Sequence, residues 1–281
     1  MIKSCVTISL VRPLAGGPWI YWDEPEISIA KAAAAGFDAV ELFMASVDSV
    51  NPDKLSRLLD ENGIKLAAVG TGAGKALQKF HLVSRDKHIR RKARDFIQAM
   101  IDFGAPFGAP AIIGSMQGQL ETGVSRERAL AWLTEGLKVL SREAAAHNVN
   151  LIFEPLNRYE TDLINTLGEG VDLIESLDSK NVFLLADLFH MNIEEESIGD
   201  SIRAAGQYIG HVHFVDSNRR AAGMGHIDLV EVAEALKGIG FEGYASAEAL
   251  PYPDPDSAAA QTITAFRKFL VRKLRAGKDC C

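Results

Sequence analysis

Short segments of consecutive apolar residues alternate along the whole chain with longer segments in which apolar residues recur every three or four positions. The first kind is typical of strands buried on both faces of a sheet, and the second periodicity is typical of amphipathic helices. The pattern predicts eight strands, at residues 2–10, 39–42, 65–69, 111–114, 149–154, 182–186, 210–215 and 243–248.

Each predicted strand is followed by a segment of helical periodicity, and the residues at the ends of these segments support a helical assignment. Gly36 and Gly63 end two of them, Pro52 begins one, and Ser125 and Asp228 are suitable N-caps for two more. The predicted helices cover residues 27–36, 52–63, 84–104, 126–147, 169–177, 194–205, 229–237 and 257–274.

Strands that alternate with helices in this way form a parallel sheet covered by helices. Eight such units in 281 residues favour a closed barrel over an open, doubly wound sheet, so we predict an α/β fold with a single (β/α)8 TIM barrel. No linker rich in proline, glycine or serine divides the chain. We therefore expect residues 1–281 to form one domain.

Composition argues against several classes of partner. The net charge is −7, and lysine and arginine are scattered without a basic stripe, so we expect no nucleic-acid partner. Arg12 and Pro13 interrupt the first apolar segment, and no segment is long enough to span a bilayer. We therefore expect a cytoplasmic protein without a membrane partner. The three cysteines, Cys5, Cys280 and Cys281, do not suggest a disulfide framework and fit a reducing compartment.

Three glycines, Gly70, Gly72 and Gly74, follow the third predicted strand and invite comparison with a phosphate-binding loop. Their spacing does not fit the dinucleotide-binding motif, and Val69 and Ala76 break the P-loop pattern. We interpret this segment as a mobile surface loop.

The loop after the first strand contains an aromatic cluster of Trp19, Tyr21 and Trp22. Aromatic side chains often pack against the faces of sugars, but they are also frequent at subunit contacts, and both interpretations stay open. Further along the chain, we expect His226 to shape a loop and Asp228 to cap a helix, and we do not predict either as a ligand.

Four successive predicted strands end on side chains that can bind a metal ion. They are Glu154, Asp187, His213 and Glu248. Taken singly, such a carboxylate is often a helix cap and such a histidine a core residue, but four in consecutive strands favour a shared site at the carboxyl ends of strands five to eight. We expect His211 to be a core histidine on the face of the strand opposite His213.

Three carboxylates and one imidazole suit a divalent ion such as Mn²⁺, Co²⁺ or Mg²⁺, and the lack of thiolates argues against structural zinc. Strands five and eight are three positions apart in a ring of eight, so Glu154 and Glu248 should approach the ion from nearly opposite sides. Two such carboxylates can remove a proton from a chelated ketose and return it through a metal-stabilised enediolate. Return to the opposite face of carbon 3 is epimerisation, and return to the adjacent carbon is aldose–ketose isomerisation.

The polar residues around these strand ends form recognisable motifs: Glu154-Pro-Leu-Asn-Arg-Tyr-Glu160, Asp187-Leu-Phe-His190, Gly-His-Val-His213 and Asn-Arg219-Arg. They resemble those of the D-tagatose/D-psicose (allulose) 3-epimerases, within the xylose-isomerase-like barrel superfamily. The resemblance is close over residues 150–250, and the remainder matches only as a barrel.

This resemblance implies that Glu154, Asp187, His213 and Glu248 hold one divalent ion, with Mn²⁺ preferred to Co²⁺ or Mg²⁺. It also implies that Glu154 and Glu248 transfer the proton, and that the O1–O2 end of the substrate contacts Glu160, His190 and Arg219. We expect a ketose or ketose phosphate as substrate and assembly as a homodimer or homotetramer.

Other functions on the same barrel remain as alternatives. Hydroxypyruvate isomerases share the Glu-Pro-Leu-Asn start, and inosose dehydratases have a similar ligand set, but Glu160 favours an epimerase. The apurinic endonucleases need further histidines after strands three and four, where this chain has Gly70-Thr71-Gly72 and Ser115-Met116-Gln117. A non-catalytic sugar-binding barrel would not be expected to retain the whole polar set.

Overall fold

The computed structural model describes residues 1–271 and contains a closed barrel of eight parallel strands that pair in chain order. This confirms the predicted (β/α)8 barrel. The strands are β1 (Lys3–Ser9), β2 (Ala39–Phe43), β3 (Lys65–Gly70), β4 (Ala111–Ile113), β5 (Leu151–Phe153), β6 (Val182–Asp187), β7 (Ile209–His213) and β8 (Tyr244–Ala247).

Over the same residues, ten α-helices accompany the barrel. They are α1 (Pro25–Ala35), α2 (Pro52–Asn62), α3 (Ala73–Gln78), α4 (Lys87–Gly104), α5 (Arg126–Ala146), α6 (Leu167–Glu175), α7 (Leu188–Glu194), α8 (Ile198–Ala205), α9 (Leu229–Gly238) and α10 (Pro255–Phe266). Ser125 and Asp228 cap α5 and α9 as predicted, because their side chains accept hydrogen bonds from backbone N–H groups of the first turn. None of the helices described over residues 1–271 is long and apolar enough to cross a membrane.

The helix predicted at 194–205 begins later, at Ile198 (α8), and a separate helix that was not predicted, α7, precedes it. Asp187 caps α7 directly at the end of β6, and the chain then becomes extended at Glu195. The side chain of Ser197 accepts a hydrogen bond from the N–H of Asp200 and begins α8. Each of these two helices therefore begins at its own side-chain cap.

The last predicted helix also ends differently. The α-helical part, α10, ends at Phe266, and a π-helix follows over Arg267–Val271. The predicted extension to residue 274 and the two terminal cysteines lie outside the described residues.

Most of the core lies between the barrel and its helices in one large apolar cluster. A separate cluster is formed by small and branched side chains of β3 to β6, namely Ala68, Ile112, Ile152 and Leu185. Ile112 also lines a pocket at the carboxyl ends of the strands, next to Glu154 and His213. The polar side chains at the carboxyl ends of the strands therefore rest on a packed apolar layer.

Candidate active site

Four side chains at the carboxyl ends of β5 to β8 converge on one point. Glu154 follows β5, Asp187 ends β6, His213 ends β7 and Glu248 follows β8, and one ligand atom of each lies within 4.8 Å of the others. His213 Nδ1 lies 3.0 Å from Asp187 Oδ2, 3.4 Å from Glu154 Oε1 and 3.7 Å from Glu248 Oε2. The structure thus brings together the whole predicted ligand set.

Asp187 serves both as a helix cap and as part of this cluster. Its Oδ1 accepts hydrogen bonds from the N–H groups of Phe189 (2.7 Å) and His190 (3.1 Å), which begin α7. Its Oδ2 faces His213. Because the cap fixes the carboxylate plane, the second oxygen is held towards the centre of the barrel.

Gly114, directly after β4, provides the space that Glu154 occupies. A Cβ atom at position 114 would lie 2.1 Å from Glu154 Oε2 and 3.2 Å from its Cδ. A side chain at position 114 would therefore displace the carboxylate of Glu154.

Sequence reasoning missed Glu41, a buried carboxylate in the middle of β2. Its Oε2 lies 2.9 Å from His211 Nε2, and its Oε1 lies 3.3 Å from His213 Nε2. The prediction that His211 and His213 project to opposite faces is therefore wrong. Residues two apart on a strand point to the same side, and both imidazoles reach Glu41 inside the barrel.

Asn157 orients His190. The backbone N–H of Asn157 donates to His190 Nδ1 at 3.3 Å, and the side-chain amide lies 2.7 Å from the same nitrogen. Nδ1 is therefore the acceptor, and Nε2 carries the proton of the neutral ring. Nε2 is buried without a hydrogen-bond partner among residues 1–271 and lies 3.9 Å from both Glu154 Oε1 and Asp187 Oδ2.

Arg219 links two carboxylates of the pocket. Its Nη2 donates to Glu248 Oε2 at 2.6 Å and its Nη1 to Glu160 Oε1 at 3.4 Å, while the guanidinium lies 4.8 Å from the ring centre of Phe189. The backbone of Arg219 has a positive φ of 59°, a conformation that non-glycine residues rarely adopt. Two hydrogen bonds hold that backbone: the Arg219 N–H donates to the carbonyl of Asp216, and the Arg219 carbonyl accepts from Leu250.

The pKa values of two carboxylates in the cluster, Glu248 and Asp187, are shifted in opposite directions. Burial raises the pKa of Glu248 to about 7 despite the nearby charges of Arg219 and His213. Burial alone would also raise the pKa of Asp187, but the hydrogen bond with His213 and the charges of His213 and Arg219 outweigh it and hold that pKa well below its usual range. Burial alone would lower the pKa of His213, but the charges of Glu41 and Glu248 outweigh burial and raise this pKa well above its usual value.

The cluster fits a divalent cation on two grounds. Its donors are three carboxylates and one imidazole, a set suited to ions such as Mn²⁺ or Mg²⁺. Glu154 Oε1 is also a buried oxygen for which the described part of the chain offers no hydrogen-bond partner. Because buried polar atoms rarely lack partners, this oxygen points to a missing cationic or donating group.

The first half of the chain forms the other wall of the pocket, which has a volume of about 190 Å³. Trp19 stacks on Phe43 with 4.2 Å between ring centres, and Gly70, Gly72 and Ser115 lie beside them. This volume lies below the roughly 300–1,000 Å³ of pockets for drug-sized ligands, so a small ligand is expected.

Only one residue of the aromatic cluster lines this pocket. Trp19 does so, with Trp22 packed against it edge to face and donating its indole N–H to the Trp19 carbonyl. Tyr21 is buried, and its backbone N–H donates to Thr7 of β1. Trp19 thus forms part of the pocket wall, and Trp22 supports it from behind.

The interpretation of residues 70–74 as a mobile surface loop is wrong. Gly70 ends β3, Thr71 is buried, and Ala73 begins α3. The segment does not form a phosphate cradle either, because the N–H of Thr71 donates to Ile112 and those of Gly74 and Lys75 donate within the segment. Glycine is required at position 70 because a Cβ there would lie 2.8 Å from the Phe43 ring.

The fold and the site together define an α/β-barrel enzyme with a carboxylate–imidazole cluster at the carboxyl ends of its strands. Residues 29–269 match the family described as the xylose isomerase-like TIM barrel. The chain belongs to this family, which confirms the resemblance inferred from the motifs.

Its relatives are named as epimerases of sugars. The D-psicose 3-epimerase of Ruminiclostridium cellulolyticum is 33% identical over 237 residues, which cover 80% of each chain. The L-ribulose 3-epimerase of Methylomonas sp. is 29% identical over 85% of this chain and 83% of that protein. A crystal structure of D-psicose 3-epimerase with D-tagatose from Clostridium cellulolyticum H10 aligns with a TM-score of 0.80 at 28% identity, covering 96% of this chain and 99% of that one. The chain is accordingly a carbohydrate epimerase.

Proposed function

We propose that the protein is a divalent-metal-dependent ketose 3-epimerase in which Glu154 and Glu248 are the acid–base pair. The observation that carries this proposal is the approach of these two carboxylates from β5 and β8 to a common point, with ligand atoms within 4.8 Å of those of Asp187 and His213. Two carboxylates on different sides of one substrate carbon are the groups that inversion at that carbon requires. The names of the relatives support the same reaction.

Glu154, Asp187, His213 and Glu248 would hold the cation, and Mn²⁺ is the ion that we expect. When bound, such an ion polarises the carbonyl and hydroxyl oxygens of a ketose and so acidifies the C–H bond between them. One glutamate removes the proton from carbon 3, and the other delivers a proton to the opposite face of the planar enediolate. In the reverse direction the two glutamates exchange roles.

Arg219 prepares Glu248 for this exchange. It binds one carboxylate oxygen, Oε2, and leaves the other free to carry a proton. In the absence of a cation, burial raises the pKa of Glu248 to about 7, which makes it a stronger base than an ordinary carboxylate. The buried guanidinium also supplies fixed positive charge beside the developing oxyanion.

Glu160, His190 and Arg219 are the proposed contacts of the O1–O2 end of the sugar. His190 has its proton on Nε2, because Nδ1 accepts from Asn157, and can donate that proton in a hydrogen bond to the carbonyl oxygen. Glu160 can accept hydrogen bonds from the O1 hydroxyl. These three side chains would fix which carbon faces the glutamates.

The charges of the pocket support an unphosphorylated ketose as substrate. Among its described lining residues, Arg219 is the one permanent cation, and Glu248 and Glu160 already engage it. The far wall offers Trp19, Phe43 and other neutral groups. A phosphate dianion bound there would lack a counter-charge.

The test is turnover in D₂O with Mn²⁺ and a panel of free ketoses, the phosphate esters of the same sugars, hydroxypyruvate and inosose. We expect a free ketose to give its C3 epimer with one deuterium at carbon 3. Turnover of hydroxypyruvate or inosose instead, or deuterium at carbon 1, would contradict the assignment. Faster turnover of a phosphate ester would refute the substrate class while leaving the epimerase assignment intact.

Variants connect the reaction with the residues. Glu154→Gln and Glu248→Gln should each lower kcat by at least about 10³-fold, since neither amide can transfer a proton. Glu234→Gln, an exposed change on α9, is the matched control and should leave kcat unchanged. Retention of kcat within tenfold by either pocket variant would remove that glutamate from the acid–base pair.

A further inference from the structure

Glu41, His211 and His213 form a buried group that the proposed reaction does not use directly. Glu41 Oε2 lies 2.9 Å from His211 Nε2, and Oε1 lies 3.3 Å from His213 Nε2. The opposite nitrogen of His213, Nδ1, faces Asp187 at 3.0 Å. His213 therefore has a different carboxylate at each end of its ring.

This contact spans the interior of the barrel. Strand β2 pairs with β1 and β3, and β7 pairs with β6 and β8, so Glu41 reaches the two histidines across the barrel and not along a shared strand edge. All five residues of β2 are buried. A carboxylate in such a position is costly unless its oxygens receive hydrogen bonds, and here the two imidazoles supply them.

The chemistry of the contact selects a tautomer. An ionised carboxylate can only accept hydrogen bonds, so each imidazole that bonds to Glu41 must carry its proton on Nε2. A neutral imidazole protonated on Nε2 has a free lone pair on Nδ1. In His213, Nδ1 faces the point shared with Glu154, Asp187 and Glu248, where a cation would take the place of the proton that Nδ1 otherwise directs at Asp187.

We propose that Glu41 is a positioning residue that fixes the tautomer and ring orientation of His213, so that Nδ1 is the atom presented to the cation. His211 occupies the second oxygen of Glu41 and keeps the carboxylate from rotating. The inference rests on the metal-binding part of the proposed function. It adds a β2 residue to a site whose ligands come from β5 to β8.

The main experiment measures Mn²⁺ binding by calorimetry in the wild type and in Glu41→Gln. A glutamine can accept from one imidazole but presents an N–H group to the other, so the two histidines can no longer both keep the Nε2 proton. Loss of an orienting carboxylate of this kind typically weakens metal binding by about 10–100-fold. We expect that loss in affinity, with one Mn²⁺ per chain in both proteins.

Asp38→Asn is the matched control, because Asp38 directly precedes β2 and its carboxylate accepts hydrogen bonds from Ser4 at the other end of the barrel. This variant should lose some thermal stability but keep its Mn²⁺ affinity within about twofold. If it loses affinity as strongly as Glu41→Gln, the effect is general destabilisation and the proposal fails.

Other results separate this inference from the proposed function. If the wild type does not bind Mn²⁺, the metal site itself is wrong. If it binds and Glu41→Gln binds equally well, only the role of Glu41 is refuted. A stoichiometry of two ions that falls to one in Glu41→Gln would make Glu41 a ligand of a second ion and would also overturn the proposal.

A measurement on the unaltered protein covers the case in which Glu41→Gln does not fold. In the Mg²⁺-saturated wild type, the imidazole ¹⁵N resonances of His213 should report a protonated Nε2 and an unprotonated Nδ1. The same tautomer is expected for His211. A His213 ring with its proton on Nδ1 would refute the positioning role without any variant.

Discussion

The close approach of Gly114 to Glu154 gives a sharp test of the site, because the change leaves every polar residue in place. A Cβ at position 114 would lie 2.1 Å from Glu154 Oε2, whereas real Cβ atoms essentially never come within 3.0 Å of such a neighbour. In Gly114→Ala, the carboxylate must therefore move by close to 1 Å. This movement takes the Glu154 carboxylate away from the point at which it converges with Asp187 and His213.

The size of the effect follows from that displacement. Misplacing a reacting group by about 1 Å can cost on the order of 10²-fold in rate. We expect kcat/KM to fall by about 100-fold and the Mn²⁺ affinity to fall with it, because Glu154 serves in both. Overpacking of this kind costs about 1–3 kcal/mol, so the melting temperature should fall by several degrees and the barrel should remain folded.

The assay compares ketose epimerisation, Mn²⁺ binding and thermal unfolding in Gly114→Ala with those in Gly238→Ala. The control glycine lies at the end of α9, where a Cβ would meet nothing within 4 Å. It should behave as wild type in all three measurements. A folded Gly114→Ala protein with more than half of the wild-type kcat/KM would refute the reasoning, since Glu154 would then not need the position that the glycine provides.

Three further outcomes are expected. Mn²⁺ affinity should rise with pH and keep rising above pH 7, because the ion must displace protons both from Glu248, whose pKa is raised to about 7, and from His213, whose pKa is raised well above its usual value; calorimetry that finds no pH dependence would contradict this. Arg219→Lys should lower kcat by at least about tenfold, because one ammonium cannot bridge Glu248 and Glu160; unchanged kinetics would exclude that role. At a Mn²⁺ concentration 100 times the wild-type Kd, the free energy of unfolding of the wild type should rise by about 2.7 kcal/mol in thermal unfolding. The same Mn²⁺ concentration should raise the free energy of unfolding of Glu154→Gln by less.

Local signals in the sequence accounted for much of the fold and for the four converging side chains. Buried strands and capped helices depend on residues close together in the chain, as with Ser125 at the start of α5. Glu154, Asp187, His213 and Glu248 could be predicted together because a barrel brings the carboxyl ends of all its strands to one side. To apply this rule, it is enough to know where each strand ends in the sequence.

The part that could not be predicted depends on contacts across the barrel. Glu41 is in the middle of β2, and its partners His211 and His213 are 170 and 172 positions away in the chain. One signal was available: a glutamate in an otherwise apolar buried strand needs a partner, and two histidines two apart on β7 share a face. The pocket wall at Gly70 was missed because its glycines make room for Phe43 and were interpreted as marks of mobility.

The different titration of Asp187 and Glu248 supports separate roles for two carboxylates in one pocket. Asp187 forms a hydrogen bond with His213 and lies near the charges of His213 and Arg219, which lower its pKa despite burial. Glu248 has Arg219 as its hydrogen-bonding partner, and burial raises its pKa to about 7. A carboxylate that stays ionised is suited to holding a cation, whereas one that titrates near neutral pH is suited to moving a proton. The hydrogen bond between Asp187 and His213 thus gives a physical reason why Glu248, and not Asp187, belongs to the proposed acid–base pair.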